Sequence, residues 1–257
     1  IKVSDFSQTE SSLAGAEAQY IQAQNEVVSS RLNYENVIGT LINENSLQKS
    51  IKSFVKIPIS LENAIELSKQ NNHDVKIAQL ELEQAKKDII IAKSDFAPSA
   101  SLSLERSYSE DLSSTYDDRE KDILKATVSW PFFSGGKKFA TIDKNQSIKI
   151  RQRFLLDSAV KNNLTTVTSA WANLQSSESF LNSVKAQVKA AEIANEGITA
   201  EYQSGASSRS TLDVIQSNAL LLNAQISLAN SERNYLLAQY NLLKSVGLLT
   251  SSYLNLK

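Results

Sequence analysis

Residues that commonly carry out chemistry are scarce in this sequence of 257 residues. It contains no cysteine and a single histidine, His73, which excludes disulfides, thiol catalysis and metal sites built from several histidines. His73 follows two asparagines, which favours a capping or surface role over metal binding or proton transfer. The stretch "SGGKK", from Ser134 to Lys138, lacks the G-x-x-x-x-G-K-[ST] spacing of a phosphate-binding loop. Because the acidic residues show no paired-carboxylate pattern either, we expect no enzyme, no cofactor and no metal.

The composition is typical of long, uninterrupted helices. Only seven glycines and three prolines occur, and nearly all of them lie between periodic segments. The net charge of −1 provides no overall field that would attract nucleic acid, so we expect no nucleic-acid partner. No run of about 18 apolar residues occurs, which predicts no transmembrane helix.

Four long helices are predicted from the three-to-four spacing of apolar residues. Ser4 or Asp5 can cap the first helix, and Gly39 stops it. Ser60 caps the second helix, which ends before Pro98. The predicted helices cover residues 5–38, 61–97, 136–203 and 211–246.

Between the second and third helices the apolar period changes to two, which predicts two strands of about ten residues. The polar residues 109–122 between them predict the loop of a β-hairpin. Small and hydroxylic residues occupy one face of the strands. The other face carries an apolar stripe with aromatics near both ends: Ala100, Leu102, Leu104, Tyr108, Leu124, Ala126, Val128, Trp130 and Phe132.

Two interpretations of this stripe stay open from the pattern alone. A tilted strand of about ten residues matches the thickness of a membrane, with Tyr108 at one interface and Trp130 and Phe132 at the other. The stripe is equally suited to packing an amphipathic hairpin onto a soluble helical core. Since two strands cannot close a barrel, the first interpretation requires further strands.

The second predicted strand leads into the third helix through "WPFFSGG". Pro131 cannot donate a backbone hydrogen bond and is expected to end the strand pairing. Gly135 and Gly136 then allow a sharp bend. We therefore predict a strand–helix joint at these residues.

The first and last helices form an internal repeat at a constant offset of 208 residues. Asp5 matches Asp213 and Gly39 matches Gly247, so the helix starts and stops coincide. We infer a duplicated unit of roughly 200 residues, of which this chain holds the end of the first copy and all of the second. The chain is therefore expected to be part of a longer one.

The order helix, strand, strand, very long helix resembles the TolC family of outer-membrane factors, and the similarity covers nearly the whole chain. The most recognisable motifs are "VSWPFFSGG" at the end of the second strand and "EYQSG" followed by "RSTLDVIQ" before the last helix. The resemblance implies a mainly α fold with a β-hairpin, in which long antiparallel coiled-coil helices form an α-barrel in the periplasm. Strands from three identical chains would form a twelve-stranded β-barrel in the outer membrane.

The resemblance also implies a division of the chain into segments. In order these would be 1–39 (the end of the first-repeat α-barrel helix), 40–62 (an equatorial segment), 63–97 (an α-barrel helix), 98–134 (the outer-membrane hairpin), 135–246 (long α-barrel helices with a tip at 204–210) and 247–257 (an equatorial segment).

In this family, contacts at the periplasmic tips hold the tunnel closed. Carried over by motif, Asp5 with the adjacent Ser4 would form this gate with Tyr202 and Arg209. An arginine–carboxylate contact at a hydrated tip can be broken by a modest binding energy. Asp5 and Asp213 also fit a simpler role as first-turn acids of their helices.

The tunnel entrance of the family often carries a ring of acids in a D-x-x-D pattern, which favours cations. Asp213 fits the first position of this pattern, but Gln216 stands at the second. The resemblance therefore implies a weaker ring here.

The function implied is that of a passive channel subunit for tripartite efflux or type I secretion, opened by an iris-like movement of the tip helices. The subunit would act as a homotrimer in outer-membrane lipid, docked to a periplasmic adaptor and an inner-membrane pump. The main alternative is a soluble or surface-attached coiled-coil scaffold with the hairpin as a docking element. Dependence on detergent discriminates between the two.

Overall fold

The structure, a computed structural model, describes residues 3–41, 56–113, 116–205 and 209–254, without the side chains of 3–5, 110–113 and 116–119. Five helices and one antiparallel sheet make up this part: α1 (Val3–Ile38), α2 (Leu61–Asn71), α3 (His73–Ser94), β1 (Ser99–Ser113), β2 (Tyr116–Ser129), α4 (Lys137–Gln203) and α5 (Thr211–Val246). The prediction of a mainly α fold with one β-hairpin is confirmed. Among these helices, none carries an apolar stretch of the length that a bilayer crossing requires.

The chain divides into two compact units. The first contains α1, α4 from Ala170 onwards and α5 as far as Leu243. The second contains α2, α3, the hairpin, α4 as far as Ser169 and residues 244–250. With 67 residues, α4 is about 100 Å long and contributes to both units.

The internal repeat is visible in the helix boundaries. The helices α1 and α5 end at Ile38 and Val246, which are related by the 208-residue offset. Each is followed by a glycine with positive φ, Gly39 at 81° and Gly247 at 83°, which glycine adopts without the steric cost of a Cβ. The predicted C-terminal ends are thus confirmed. The predicted caps Ser4 and Asp5 are wrong, because both residues lie inside α1.

The predicted second helix is interrupted at Asn72, so it forms two helices. Asn72 has an extended backbone (φ −62°, ψ 129°), and its Oδ1 accepts hydrogen bonds from two amides in the first turn of α3. Its Nδ2 donates to the carbonyl of Ser245 at 2.9 Å. An asparagine that caps a new helix competes with continuation of the previous one, and apolar spacing does not reveal this. Ser60 caps α2 as predicted, with its hydroxyl accepting from the amide of Asn63.

In the second unit, α2 and α3 pack antiparallel to the first part of α4. Asn145 of α4 donates to the carbonyl of Asp88 at 3.2 Å, whereas Asn163 donates to the hydroxyl of Ser68 at 2.9 Å. Residue numbers along α4 therefore increase in the direction in which those along α2 and α3 decrease, as they do in antiparallel helices. Three alanines of α3 are buried at the seven-residue interval of a coiled coil: Ala78, Ala85 and Ala92.

In the first unit, the second part of α4 packs antiparallel to α5. Val184 and Val188 of α4 form a buried cluster with Ala224 of α5, and Ser217 donates to Oδ1 of Asn195 at 2.6 Å. Small residues of α5 that allow this close approach are buried every seven residues: Ser217, Ala224, Ser231 and Ala238. By contrast, α1 exposes every side chain that the structure describes in it.

The hairpin is longer than predicted. The loop predicted over residues 109–122 is wrong, because β1 and β2 remain paired as far as Ser113 and Tyr116. At the start of this polar part, Arg106 faces the oppositely charged Asp122. Backbone hydrogen bonds and such cross-strand pairs maintain the ladder where neither face is apolar.

Candidate functional site

The turn between α4 and α5 is the tip predicted from the sequence at 204–210, of which residues 206–208 lie outside the described part. Gly205 has a φ of 77°, and its amide donates to the carbonyl of Tyr202 at 3.2 Å, which reverses the chain after α4. Ser210 precedes α5, and its hydroxyl accepts a hydrogen bond from the amide of Asp213 at 3.3 Å. Local hydrogen bonds therefore fix the backbone at both described ends of the turn.

Asp213 returns the contact with Ser210. Its Oδ2 accepts hydrogen bonds from the Ser210 amide at 2.8 Å and from the Ser210 hydroxyl at 2.9 Å. The bond from the amide, and then that from the hydroxyl, lower the pKa of Asp213 below its ordinary value, and the charge of Arg209 acts in the same direction. This reciprocal arrangement is a capping box, so Asp213 does serve as a first-turn acid. Gln216 lies three residues further along α5 and is exposed.

Arg209 is bound by an acid of its own chain. Its Nε donates to Oε2 of Glu201 at 2.6 Å, across the turn. This hydrogen bond and the charge of Glu201 raise the pKa of Arg209, and the charge of Asp213 contributes less. Both side chains of the pair are accessible to water, 36% for Arg209 and 53% for Glu201, so solvent screens their attraction.

Tyr202 spans the same turn. Its hydroxyl lies 3.0 Å from Oγ1 of Thr211, which is the first residue of α5. The end of α4 is thus connected to the start of α5 by one neutral side-chain contact, and to Arg209, two residues before α5, by one ionic contact.

The structure brings Tyr202, Arg209 and Asp213 to one tip, each with a different partner. The side chains of Asp5 and Ser4, which the sequence placed in the same gate, lie outside the description. Their part in a gate stays a prediction.

Sequence reasoning missed the partners at the tip. The S-x-x-D spacing of Ser210 and Asp213 is a capping signal and was available in the sequence. Glu201 stands eight residues before Arg209, beyond a turn, and no helical or strand spacing relates the two.

The hairpin exposes apolar side chains on one face. Leu102 lies opposite Ala126, and Leu104 lies opposite Leu124. The three leucines and Val128 are each more than two-thirds exposed. The other face carries hydroxyl groups: Ser99, Ser101, Ser103, Thr127 and Ser129. A one-sided apolar surface of this kind is expected to be covered by an apolar environment.

A charged cluster ends this apolar stripe. Arg106 follows Leu104 on the same face and forms ion pairs with Glu120 and with Asp122, whose Oδ1 lies 3.7 Å from the arginine Nε. Tyr108 lies beyond the cluster, opposite Glu120. The stripe therefore stops at Leu104, whereas the sequence-based stripe continued to Tyr108 across Arg106.

The aromatics at the other end lie just outside the strand. The strand β2 ends at Ser129. Trp130 and Phe132 therefore follow the strand, and the prediction that they belong to it is wrong. The indole Nε1 of Trp130 donates to the carbonyl of Phe96 at 3.2 Å, and both Trp130 and Phe132 are exposed. Pro131 has no amide with which to extend the ladder, which explains why pairing stops here. The bend before α4 then has two positive φ values, 58° at Gly135 and 83° at Gly136.

Lys138 connects the elements that meet at this joint. Its ammonium group donates to the carbonyls of Asp95 at 2.5 Å and of Pro131 at 2.6 Å. It also lies 5.2 Å from the centre of the Phe96 ring, which meets the ring of Phe139 edge-on at 5.1 Å. One side chain of α4 thereby links the residues after α3 to those after β2. No local spacing predicts this site, because the two carbonyls come from residues far apart in the sequence.

His73 is the exposed first residue of α3, and its Nδ1 lies 3.2 Å from the carbonyl of Asn71. The cap of α3 is Asn72. Within the part of the chain that the structure describes, no three or more His, Cys, Asp or Glu side chains are grouped to hold a metal ion.

Comparison with known sequences identifies related proteins. The model of the family described as "Outer membrane efflux protein" matches residues 64–248. The outer membrane efflux protein BepC of Brucella suis biovar 1 (strain 1330) is 22% identical over 254 residues, which cover 98% of this chain and 55% of BepC. The outer membrane protein TolC of Escherichia coli (strain K12) is 30% identical over 136 residues, which cover 52% of this chain and 27% of TolC. The chain thus spans about half the length of BepC.

Solved structures share the fold. The open state of the MtrE outer membrane channel of Neisseria gonorrhoeae superposes with a TM-score of 0.71 at 19% identity, covering 95% of this chain and 56% of MtrE. A membrane protein from Pseudomonas aeruginosa superposes with a TM-score of 0.74 at 16% identity, covering 96% of this chain and 57% of that protein. The family model matches most of the sequence, from α2 to the end of α5, and on this ground the chain belongs to the outer membrane efflux protein family.

Proposed function

We propose that the chain forms part of a passive efflux or secretion channel in the outer membrane, with its helices in the periplasm. Membership of the outer membrane efflux protein family supports this proposal, as do relatives that are named as outer-membrane proteins and channels. Such a channel moves its cargo without covalent chemistry, so we assign no catalytic role to any residue.

The one-sided hairpin is the observation that carries the proposal. An exposed apolar stripe occupies one face of the hairpin as far as Leu104, and hydroxyl groups occupy most positions of the other face there, which Lys125 shares. In the wall of a barrel the first face would contact lipid and the second a water-filled lumen. Two strands leave open edges, which lipid does not tolerate. We infer that further strands of the full-length protein and two identical subunits close a twelve-stranded barrel.

The periplasmic α-barrel would be assembled in the same way. The helix α1 exposes large apolar side chains along its length: Phe6, Leu13, Tyr20, Val28 and Leu32. A helix with this pattern is expected to be covered in the assembled protein. We propose that helices of the homotrimer cover it, and that residues 40–62 and 247–257 belong to an equatorial girdle. Residues 42–55 and 255–257 of that girdle lie outside the described part.

We assign the gate to the tips of the helices. Tyr202, Arg209 and Asp213 gather at the described tip, and Asp5 with Ser4 would complete the gate from the first repeat. Exposed contacts of this kind contribute little in water, so the docking of a periplasmic adaptor can supply enough energy to break them. The tip helices would then move apart like an iris, and an inner-membrane pump would deliver the cargo.

The entrance would carry one ring of charge. An aspartate is ionised at neutral pH, and the hydrogen bonds from Ser210 lower the pKa of Asp213 further, so three symmetry-related copies would place three negative charges around the axis. Gln216 adds no charge one turn later. We therefore propose weaker cation selectivity than two rings of acids would give.

Single-channel recording of the full-length protein in planar lipid bilayers tests the proposal. Wild type should show small, discrete conductance steps, and Arg209→Ser and Tyr202→Phe should raise them by weakening the tip. Arg233→Ser is the matched control, since Arg233 is an exposed arginine of α5 about 33 Å from its start. The absence of any wild-type conductance would contradict the channel function. Unchanged conductance in the two tip variants would contradict only the gate.

Solubility discriminates the alternative of a scaffold. The full-length channel should aggregate when detergent is removed and should recover in lipid vesicles, because the hairpin stripe requires an apolar environment. A coiled-coil scaffold that covers the stripe internally should stay monodisperse without detergent.

A further inference from the structure

We propose that Glu201 weakens the gate by competing with Asp5 for Arg209. The inference rests on the gate proposed above, because Asp5 enters only through that proposal. It gives a role to Glu201, the first residue of "EYQSG", to which the sequence analysis assigned none.

Positive charge is scarce at this tip. Between Lys189 and Arg233 the sequence contains one basic residue, Arg209, and several acids: Glu192, Glu196, Glu201, Asp213 and Glu232. The first 30 residues hold four acids, Asp5, Glu10, Glu17 and Glu26, and one basic residue, Lys2. Of these acids, Glu201 and Asp213 lie close enough for their charges to act on Arg209, which is the one basic residue in this stretch of the sequence.

Glu201 is the acid best placed to hold Arg209. It lies in the last turn of α4, two residues before the end of the helix at Gln203, so its backbone position is set by that helix. Its Oε2 receives the Nε–H of Arg209 at 2.6 Å, which is short for a charge-assisted hydrogen bond. The guanidinium has four further N–H donors, so a contact of Arg209 with Asp5 would compete with this bond through the single positive charge that both acids share. Glu201 thus opposes closure, whereas Asp5 favours it.

Competition predicts opposite signs for the two acids. Glu201→Gln keeps the side-chain shape but removes the charge, so Arg209 becomes more available to Asp5 and the closed tip is favoured. We expect the open probability to fall by roughly two- to five-fold, the range of one exposed ion pair. Asp5→Asn and Arg209→Ser should instead raise it. Glu192→Gln, on the same helix about 13.5 Å away, is the control and should leave it unchanged.

A double-mutant cycle in planar bilayers tests the competition directly, with the full-length channel carrying Glu201→Gln, Asp5→Asn or both. Competition for one arginine requires that Glu201→Gln has no effect once Asp5 has been neutralised. A rise in open probability for Glu201→Gln alone would overturn the inference, because Glu201 would then belong to the lock. So would an unchanged open probability in a channel that Arg209→Ser still opens. If Arg209→Ser itself has no effect, the gate fails, and this inference fails with it.

Discussion

Replacing Gly247 with alanine places a methyl group against the break between α2 and α3. A Cβ at Gly247 would lie 2.4 Å from the carbonyl oxygen of Asn71 and 2.9 Å from the Cα of Asn72. These are backbone atoms and cannot rotate away, so either the break or the residues after α5 must move. The movement would strain the 2.9 Å hydrogen bond from the buried Asn72 side chain to the carbonyl of Ser245.

Two costs add in this variant. Alanine at the φ of 83° costs about 1–2 kcal/mol in the left-handed region. Straining or losing the buried hydrogen bond costs about 1–3 kcal/mol more. Gly39→Ala is the matched control from the other copy of the repeat. Gly39 has a φ of 81°, and no atom of the residues that the structure describes lies within 4 Å of the added Cβ, so only the first cost applies to it.

Hydrogen exchange followed by mass spectrometry measures the effect locally in the full-length protein. We expect residues 68–76 to exchange at least tenfold faster in Gly247→Ala than in wild type, since about 1.4 kcal/mol is tenfold in an opening equilibrium. Gly39→Ala should leave these residues unchanged. If Gly247→Ala exchanges at the wild-type rate there, the contact between Gly247 and the helix break does not stabilise the fold, and the reasoning is refuted.

Three further predictions concern the joint, the hairpin and the tip. Lys138→Met removes two bonds to carbonyls and should destabilise the joint by about 1–3 kcal/mol, whereas the exposed Lys137→Met should be neutral in the same thermal unfolding measurement. Leu102→Arg should destabilise the protein in lipid vesicles by about 2–4 kcal/mol in urea titrations, and Ser103→Arg on the opposite face should cost clearly less. At the tip, the folded-state pKa of Asp213 is lowered, so the stability it adds is present above the ordinary carboxyl pKa and is lost as pH falls through the lowered value. The difference in thermal midpoint between wild type and Asp213→Asn should therefore be full at neutral pH and vanish in acid; a difference that persists in acid contradicts the assignment.

The helix ends were predictable because their signals are local. The α5 boundaries, Thr211 and Val246, agree with the prediction, and so does the glycine that follows. The break at Asn72 was not predictable from apolar spacing, since the asparagine is held in place by the carbonyl of Ser245, 173 residues away. Tertiary contacts of this kind override a helical pattern that is otherwise continuous.

The extent of the hairpin illustrates a different limit. Apolar alternation marks where a strand meets an apolar environment, but strand pairing itself depends on the backbone. The polar residues 109–122 therefore looked like a loop, although most of them are paired. The charge of Arg106 was visible in the sequence. Because Arg106 stands two residues after Leu104 on the same face of the strand, its charge indicated that the apolar stripe ends at Leu104.

The tip was predicted in part. The motif around Tyr202 and Arg209 located the turn, because both residues lie beside a glycine break that the sequence shows. The pairing of Arg209 with Glu201 depends on how the chain returns across that break, and side-chain partners across a turn have no fixed spacing. Motifs thus located the site, and only the three-dimensional structure identified its contacts.

Spin-label accessibility along β1 tests most directly the claim that the hairpin is part of a barrel wall in lipid. Single cysteines can be labelled selectively here because this chain contains none of its own. In lipid bilayers, a label at Leu102→Cys should collide with oxygen dissolved in the lipid, and a label at Ser103→Cys with a water-soluble nickel complex. The same alternation should continue through neighbouring positions of the strand. Equal accessibility of the two positions to the water-soluble complex, or shielding of both from it, would contradict the account.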